Sequence, residues 1–361
     1  MSTLTTNYLA PSGREEAWRF TPLARVGGLL DPEVALEGVL SVELSSGDGA
    51  VKISQRSASE IRPISNSDDL ATIRVRNAVN EVTHIEVAKN AQISEPIILT
   101  RKGLKGSPQA SRMLISCGEN SHATIILQNS GTAILAEDIE FNVGQGAILT
   151  FVSLQEWDST SVHLAREHAI IAKDATFNSI VVTIGGSLVR LLPTVEYSGP
   201  GSSADLQGLY FATDGQHLEH RLFVDHNVAN AKSRVNYKGA LAGDKAHTVW
   251  IGDVYIRANA DGTDTYELNR NLLLSDGARA DSVPNLEIET GEIVGAGHAS
   301  TTGRFDDEQL FYLSSRGIPA EIARRLVIRG FFAEVIGKIH SQEIQDRLMN
   351  RIDNELSKVG A

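Results

Sequence analysis

Short apolar segments dominate the middle of the chain, from about residue 70 to residue 298. They are rich in Val, Ile, Leu and Thr, run for about four to eight residues, and most follow a Gly, Asn or Asp that is typical of a turn. Examples are residues 123–127 (ATIIL), 147–152 (AILTFV) and 175–182 (ATFNSIVV). Long helical patterns are missing from this part of the sequence. The pattern therefore predicts a mainly β structure.

The openings of these segments recur at a regular interval. GENSHATIIL, GQGAILTFVSL, KDATFNSIVVTI and GSSADLQGLYF follow one another at roughly 24 to 29 residues, a period typical of solenoids. Two architectures compete for such a pattern: an antiparallel sandwich, whose strands recur about every 8 to 12 residues, and a parallel β-helix, whose turns recur about every 20 to 30. Small residues after the turns fit the corners of stacked coils, and they favour the β-helix.

Both ends of the chain carry helical signals. Because each end of a β-helix exposes strand edges and an open core, we expect these segments to act as caps. Near the N-terminus, Ser12 and Glu15 have the spacing of a capping box, and Trp18 is expected to anchor this segment onto the core. We interpret residues 1–69 as a mixed N-terminal segment, 70–302 as the β-helix core and 303–361 as a C-terminal helical domain.

The sequence after His298 is helical. Acidic residues at positions 306–308 suit a helix N-terminus, whereas Gly317 and Pro319 mark the end of that helix and the start of the next. Two apolar stripes follow, and such stripes usually pack against a core. They consist of Ile322, Leu326, Val327, Val335, Ile336 and Ile339 in one helix and Ile344, Leu348, Ile352 and Leu356 in the last.

Composition narrows the classes of partner. Lys plus Arg number 33 against 45 Asp plus Glu, a net charge of −12, which argues against nucleic acid or an anionic membrane as the main partner. No run approaches the roughly 20 apolar residues that cross a bilayer. The first residues lack the basic start and apolar block of a secretory signal. We therefore expect a cytoplasmic protein.

Potential metal ligands are scattered along the sequence. The single cysteine, Cys117, excludes an internal disulfide and a multi-cysteine zinc or cluster site within one chain. On a strand, His217 would face away from His220 and His226, because an odd number of residues separates them. His220 and His226 would lie about 20 Å apart on a straight strand. Turn and ladder hydrogen bonds explain these histidines better than a metal site.

Catalytic motifs are also missing. Residues 185–187 (GGS) do not form a nucleophile elbow, and no Gly-rich loop has the ending of a phosphate cradle, so we do not expect ATP binding. Asp261 and Asp264 lie in ANADGTDTYE, which resembles part of a calcium loop but fits a plain Asp-Gly turn better. A carbohydrate-active β-helix enzyme, which needs acidic and basic residues in a row on one exposed face, stays an alternative.

One histidine differs from the others in its setting. His298 lies among small residues in GAGHAST, where its side chain would be reachable. Neutral imidazole is a good ligand for iron or zinc, but one histidine alone does not hold a metal. His298 is therefore either structural or half of a site that a partner chain completes.

Several long motifs together resemble one family. The segments GHASTTGRFDDEQLFYLSSRGIP, GQHLEHRLFVDH, YKGALAGD, LLLSDGARADSVPNLEI and EEAWRFTPL resemble those of the SufB/SufD family of iron–sulfur cluster assembly proteins. Of the two branches, the short chain and the WRFTPL opening are similar to SufD. The resemblance implies a right-handed parallel β-helix with helical terminal domains, assembled with SufB and two SufC ATPase subunits. It implies no catalytic step on this chain.

The resemblance also implies roles for particular residues. His298 matches the SufD histidine that faces a SufB cysteine, where iron or a nascent cluster is handled, and no cofactor is expected to bind stably to this chain alone. Some relatives have a cysteine two residues earlier, where this chain has Ala296, so more weight falls on His298 and the partner's thiolate. The SufC docking side is implied at Phe311, Tyr312, Arg316, Ile322, Leu326 and Phe331.

The family's arrangement implies a mechanical role. ATP-driven closure of the two SufC subunits would pull on the docked helices and open a buried site between SufB and SufD. Two other arrangements stay open. The chain would be a SufB-like scaffold if a cluster formed on it with Cys117 as its only thiol, or it would pair with a second copy through an exposed sheet edge when SufB is absent.

Overall fold

The computed structural model describes residues 10–37, 42–44, 49–304 and 307–358, without the side chains of residues 105, 307–310 and 358. Within these ranges the strands are β1 (Glu43–Leu44), β2 (Val51–Ser57), β3 (Glu81–Val87), β4 (Ile97–Cys117), β5 (His122–Val143), β6 (Ile148–Trp157), β7 (Val162–Ile171), β8 (Thr176–Thr183), β9 (Leu188–Tyr197), β10 (Ser203–Ala212), β11 (His217–His226), β12 (Lys232–Leu241), β13 (His247–Ile256), β14 (Asp264–Leu273), β15 (Arg279–Ile288) and β16 (Gly295–Gly303). The α-helices are α1 (Leu70–Ala78), α2 (Asp307–Ser315), α3 (Ala320–Ile336) and α4 (Gln342–Lys358).

The strands form a parallel β-helix with two sheets. The strands β6, β8, β10, β12, β14 and β16 stack on one side, which we call the even sheet, and β7, β9, β11, β13 and β15 stack on the other, the odd sheet. The long strand β5 belongs to both, since its first half pairs in parallel with β6 and its second half with β7. This confirms the predicted β-helix and excludes the sandwich.

Each coil of the β-helix takes 27 to 32 residues. The register partners that mark successive coils of the even sheet are Ile148, Thr176, Ser203, Lys232, Asp264 and Gly295. The predicted interval of about 24 to 29 residues is slightly short. Later coils have longer turns: residues 257–263 separate β13 from β14, whereas residues 158–161 separate β6 from β7.

The space between the two sheets is filled mainly by apolar side chains. The rings of Phe141 and Phe151, on neighbouring coils, pack against each other at a tilt of 58°, with centroids 4.7 Å apart. Ala123, Ala147 and Ala175 follow turns and are completely buried. Small residues therefore occupy the coil corners, as the sequence predicts.

The outer face of the even sheet is apolar as well, and α3 and α4 cover it. This contact buries Val152, Val182 and Phe211 of the sheet under Phe332 of α3 and Leu348 of α4. Strands such as β6 carry large apolar residues at both odd and even positions, so both of their faces must be shielded from water. The helices consequently pack along the side of the solenoid. The expectation that they cap its end is wrong.

The N-terminal segment and α1 cover the outer face of the odd sheet in the same way. Trp18 is 5% exposed and packs with Val75 of α1 against Leu164 and Leu188. The guanidinium carbon of Arg190 lies 3.9 Å from the centre of the Trp18 ring, a cation–π contact. The predicted anchoring role of Trp18 is confirmed.

Local helix signals are realised to different extents. The Glu15 carboxylate accepts from the Ser12 backbone N–H at 3.0 Å, but a single 3₁₀ turn, Glu16–Trp18, follows it. Gly317 has φ +82°, the left-handed conformation that ends α2 as predicted. Helix α1 lies at the start of the segment interpreted as the β-helix core. None of the helices within the described ranges is long and apolar enough to cross a membrane.

Candidate functional site

The C-terminal end of the solenoid is open. β15 and β16 are the last strands of the odd and even sheets, and each pairs on one side only among the described strands. Their residues are exposed or half-buried, whereas inward-facing residues of β13 and β14 are buried. The backbone groups on the free side of such a strand can pair with another chain.

His298 lies on β16 and is exposed at this open end. Two residues before it, Ala296 packs against the interior core, and two residues after it, Ser300 donates a 2.7 Å hydrogen bond to Ser282 of the opposite sheet. Gly297, between them, lies beneath the outward-facing ring of Tyr266. Because side chains alternate along a strand, His298 points inward, over the open end of the solenoid.

A chain of polar side chains leads from the interior to this end. Tyr210 donates to Asn271 at 2.7 Å and accepts from Asn269 at 2.9 Å. Ser282 donates to Asn269 at 2.7 Å, and Ser300 in turn donates to Ser282. A connected set of polar side chains therefore lines the interior of the last coils.

Glu267 of β14 is the register partner of His298 and lies one coil deeper. Its side chain is 1% exposed, and burial, with a smaller contribution from Asp253, raises its pKa to about 8. Neither carboxylate oxygen has a hydrogen-bond partner among the described residues, and the same holds for the indole nitrogen of nearby Trp250. Sequence reasoning did not single out Glu267, although its even spacing from the inward-facing Asn269 and Asn271 is visible in the sequence.

The helices after β16 expose an apolar surface. Phe311 and Tyr312 of α2 are 76% and 57% exposed, and Ile322 and Leu326 of α3 are 50% and 45% exposed. Arg316, also exposed, places its guanidinium carbon 5.2 Å from the Tyr312 ring. We call these five residues the helical patch. Ile322 and Leu326 thus lie outside the stripe that packs on the sheet.

Phe331 lies apart from the helical patch, in the contact between α3 and the even sheet. It is half-buried, and the Lys238 ammonium lies 5.1 Å from its ring centre. Lys238 also pairs with Glu334 at 2.6 Å, and Lys338 pairs with Asp205 at 2.9 Å. These charged contacts fix α3 along the even sheet.

The other predicted ligand candidates take part in structural hydrogen bonds. His217 contacts Glu219 at 3.0 Å, His220 contacts Thr183 at 3.0 Å, and His226 contacts Ser233 at 2.9 Å. Burial lowers the pKa of His220 to about 3 and that of His226 to about 4, so both are neutral. Across the part of the chain that the structure describes, no group of three or more His, Cys, Asp or Glu side chains is arranged to hold a metal ion.

The lone thiol and the acidic turn are also structural. Cys117 is buried, and burial raises its pKa to about 12, so the thiol is protonated and out of reach of a metal or substrate. Asp264 forms a two-point ion pair with Arg234 at 2.8 Å. Asp261 accepts from Thr290 at 2.7 Å and precedes a glycine with φ +72°, as in the expected Asp-Gly turn.

Glu167 makes stability depend on pH. It points into the solenoid, as do Ala165 and Ala169, and burial raises its pKa from 4.5 to about 7. Because the folded state binds this proton more tightly than the unfolded state, Glu167 contributes stability that is fully present below about pH 4.5. The contribution is lost as pH rises through 7, and the free energy of unfolding then falls by about 3 kcal/mol. We expect Glu167→Gln to remove most of this loss in urea-unfolding series between pH 4.5 and 8. Exposed Glu95→Gln should follow the wild type; an unchanged pH slope in Glu167→Gln would contradict the assignment.

Comparison with known proteins identifies the family. Residues 97–331 match the family described as "SUF system FeS cluster assembly, SufBD core domain". An iron–sulfur cluster assembly SufBD family protein of Mycobacterium tuberculosis is 48% identical over 354 residues, covering 96% of this chain and 89% of the relative.

More distant relatives carry a more specific name. The iron–sulfur cluster assembly protein SufD of Escherichia coli is 27% identical, covering 96% of this chain and 89% of the relative. SufD of Bacillus subtilis is 25% identical, covering 77% of this chain and 65% of the relative. These matches favour the SufB/SufD resemblance over the carbohydrate-active alternative. The chain belongs to the SufBD family of the SUF system for iron–sulfur cluster assembly.

Proposed function

We propose that this chain is a non-catalytic, SufD-type subunit that pairs with a SufB-type homologue and docks a SufC-type ATPase. The observation that carries the proposal is the position of His298, exposed and inward-facing on the last strand of an open solenoid end. A ligand in this position needs a second chain to complete its site. Iron or a nascent cluster handled there is cargo and not a resident cofactor.

The partner at the open end has to supply the sulfur ligand. Position 296 is alanine, and Cys117 is buried in another part of the solenoid, so this chain offers no thiolate near His298. The free edges of β15 and β16 suit pairing with the terminal strands of a similar β-helix. A buried lone thiol also argues against the chain serving as a SufB-like scaffold by itself.

The ATPase is proposed to dock on the helical patch. Four large exposed apolar side chains lie on two neighbouring helices, and Arg316 lies in the turn between them, a composition typical of protein–protein contacts. Phe331 is implied at the same docking side, and its half-buried ring lies in the neighbouring contact between α3 and the even sheet. Helix α3 would couple ATPase docking mechanically to the open end. It carries part of the helical patch and also packs on the even sheet, whose last strand, β16, contains His298.

The direct test is to purify the tagged full chain from cells that co-express the SufB-type and SufC-type homologues of its own organism. We expect a stable complex that contains all three chains. Purification of the chain alone, or as a homodimer in the presence of both partners, would contradict the proposal.

Charge introduced into the helical patch should prevent ATPase capture. We expect the double variant Phe311→Asp, Leu326→Asp to lower the affinity for the SufC-type subunit at least about tenfold, because each apolar anchor is worth about 1.5–3 kcal/mol when buried. Affinity is measured by titrating the purified subunit. The control is Leu104→Asp, which adds one negative charge, half of the charge of the double variant, at a 78% exposed leucine of β4. Equal affinities in the double variant and the control would move the docking site elsewhere.

A further inference from the structure

The inference concerns Glu267, a buried carboxyl group with no partner. Natural proteins rarely bury such a group without a hydrogen bond, because removing a carboxylate from water is costly. Glu267 is 1% exposed, and both of its carboxylate oxygens lack partners within the described part of the chain. Hydrogen bonds within the described residues therefore do not account for a carboxyl group at this position.

The register places Glu267 directly next to His298. The two residues are partners in the parallel ladder between β14 and β16, where neighbouring strands are about 4.8 Å apart. Because register partners project to the same side of a sheet, both side chains face the interior. Glu267 is the deeper of the two, and His298 lies at the opening.

The opposite sheet leaves room for the carboxylate. A Cβ atom at Gly252 of β13 would lie 2.7 Å from Glu267 Oε1 and 2.4 Å from Trp250 Cη2, closer than real contacts allow. Glu267 therefore reaches across the interior to the backbone of Gly252. Any larger residue at position 252 would displace the carboxylate or the Trp250 ring.

Neither carboxyl oxygen of Glu267 lies within hydrogen-bond distance of a Lys, Arg or His side chain in the described part of the chain. The electrostatic neighbour that affects it is Asp253, which is itself acidic. A cation bound at the open end would offset the energetic cost of burying the Glu267 carboxylate. A carboxylate and a neutral imidazole are ligands that ferrous iron accepts, and these two groups lie on adjacent coils.

We propose that Glu267 and His298 together form this chain's half of a ferrous iron site at the open end of the solenoid. The inference rests on the proposed function only for the remaining ligands, which the partner chain supplies. It extends that function by a second ligand, an oxygen donor held one coil below the histidine.

The test uses Co²⁺, a coloured stand-in for Fe²⁺, titrated into the purified full chain. We expect the wild type to bind Co²⁺, and Glu267→Gln and His298→Ala each to lower the association constant at least tenfold. The matched control is Glu287→Gln, at an exposed glutamate of β15. The inference would be overturned if Glu267→Gln bound Co²⁺ as tightly as the wild type. It would also be overturned if the wild type bound no more Co²⁺ than His298→Ala.

A second measurement separates a ligand from a structural residue. In metal-free protein, Glu267→Gln keeps the shape of the side chain and replaces a buried carboxyl group that has no hydrogen-bond partner among the described residues, so we expect a urea midpoint no lower than that of the wild type. A lower midpoint together with unchanged Co²⁺ binding would assign Glu267 a structural role and overturn the inference.

The outcome is also separable from that of the proposed function. Capture of the SufB-type and SufC-type partners tests the proposed function, and Co²⁺ binding by the isolated chain tests the Glu267–His298 pair. If the partners are not captured but Co²⁺ binding depends on Glu267, the proposed function is contradicted and the Glu267–His298 pair is supported. If the partners are captured but Co²⁺ binding does not depend on Glu267, the proposed function is supported and the Glu267–His298 pair is contradicted.

Discussion

Changing His298, the proposed ligand, to alanine is expected to lower cluster assembly by the purified complex at least about 10-fold, because removing a group that only supports a metal ligand already costs about 10- to 100-fold. The side chain is exposed at the open end, so its loss should leave the fold within about 0.5 kcal/mol of the wild type. The measurement is the rate of anaerobic cluster formation, followed by visible absorbance, on complexes with equal subunit content.

The control for this variant is His122→Ala, which removes an exposed histidine from β5, far along the solenoid from β16. It should assemble clusters at the wild-type rate. Normal assembly in His298→Ala would remove the histidine from the site and leave the open end as a pairing surface alone.

Changing Phe332 to alanine is expected to lower the free energy of unfolding by about 3–5 kcal/mol. Phe332 is fully buried between α3 and the even sheet, where its ring meets Phe211 edge-on at a centroid distance of 6.5 Å. The cavity left by the ring weakens the contact that holds the C-terminal helices on the solenoid. Urea unfolding gives the free energy, and limited proteolysis reports whether cleavage begins in α3 and α4.

The matched comparison is Phe311→Ala on α2. It removes the same ring from a site that is 76% exposed, so we expect a change within about 0.5 kcal/mol. Similar losses in the two variants would mean that α2 is covered in the isolated protein, and the helical patch would then not be free to dock a partner.

The β-helix could be predicted because its two signals are local. Strand length, turn residues and the coil period are all visible in consecutive residues, and small residues such as Ala147 mark the corners. What covers the sheets was harder to predict. Strand β6 has apolar residues at both odd and even positions, which indicates that both of its faces are buried. This pattern does not identify the distant segment that packs on the outer face.

Helical periodicity also predicted α3 without its orientation. The periodicity predicts one apolar stripe that contains both Ile322 and Ile336, yet Ile322 is 50% exposed and Ile336 is buried on the sheet. A helix that meets a core on one side and a partner on another is apolar on both, and its sequence does not separate the two contacts. In the structure, Phe332 is buried against the even sheet and so marks the side of α3 that faces the core.

The interior polar groups were missed because the usual alternation is reversed in β14. Tyr266 and Leu268 face outward, while Glu267 and Asn269 face inward. Reading apolar residues as inward would place the strand the wrong way round. At the other end of the solenoid, Arg101 and Glu137 form a buried ion pair with His163 nearby, and the long sequence separation between Arg101 and its partners hides this cluster as well.

The open end has a consequence for cooperativity. In stacked-coil proteins each unit is stabilised by its immediate neighbours, so total stability is close to a sum of unit and interface contributions. The coil formed by β15 and β16 has one such neighbour, the coil of β13 and β14, and lacks a second. Its opening free energy therefore lacks one interface contribution among the described strands and rises when another molecule stacks on it. A partner that stacked on this coil, as proposed, would supply the missing neighbour and couple complex assembly to the stability of the coil.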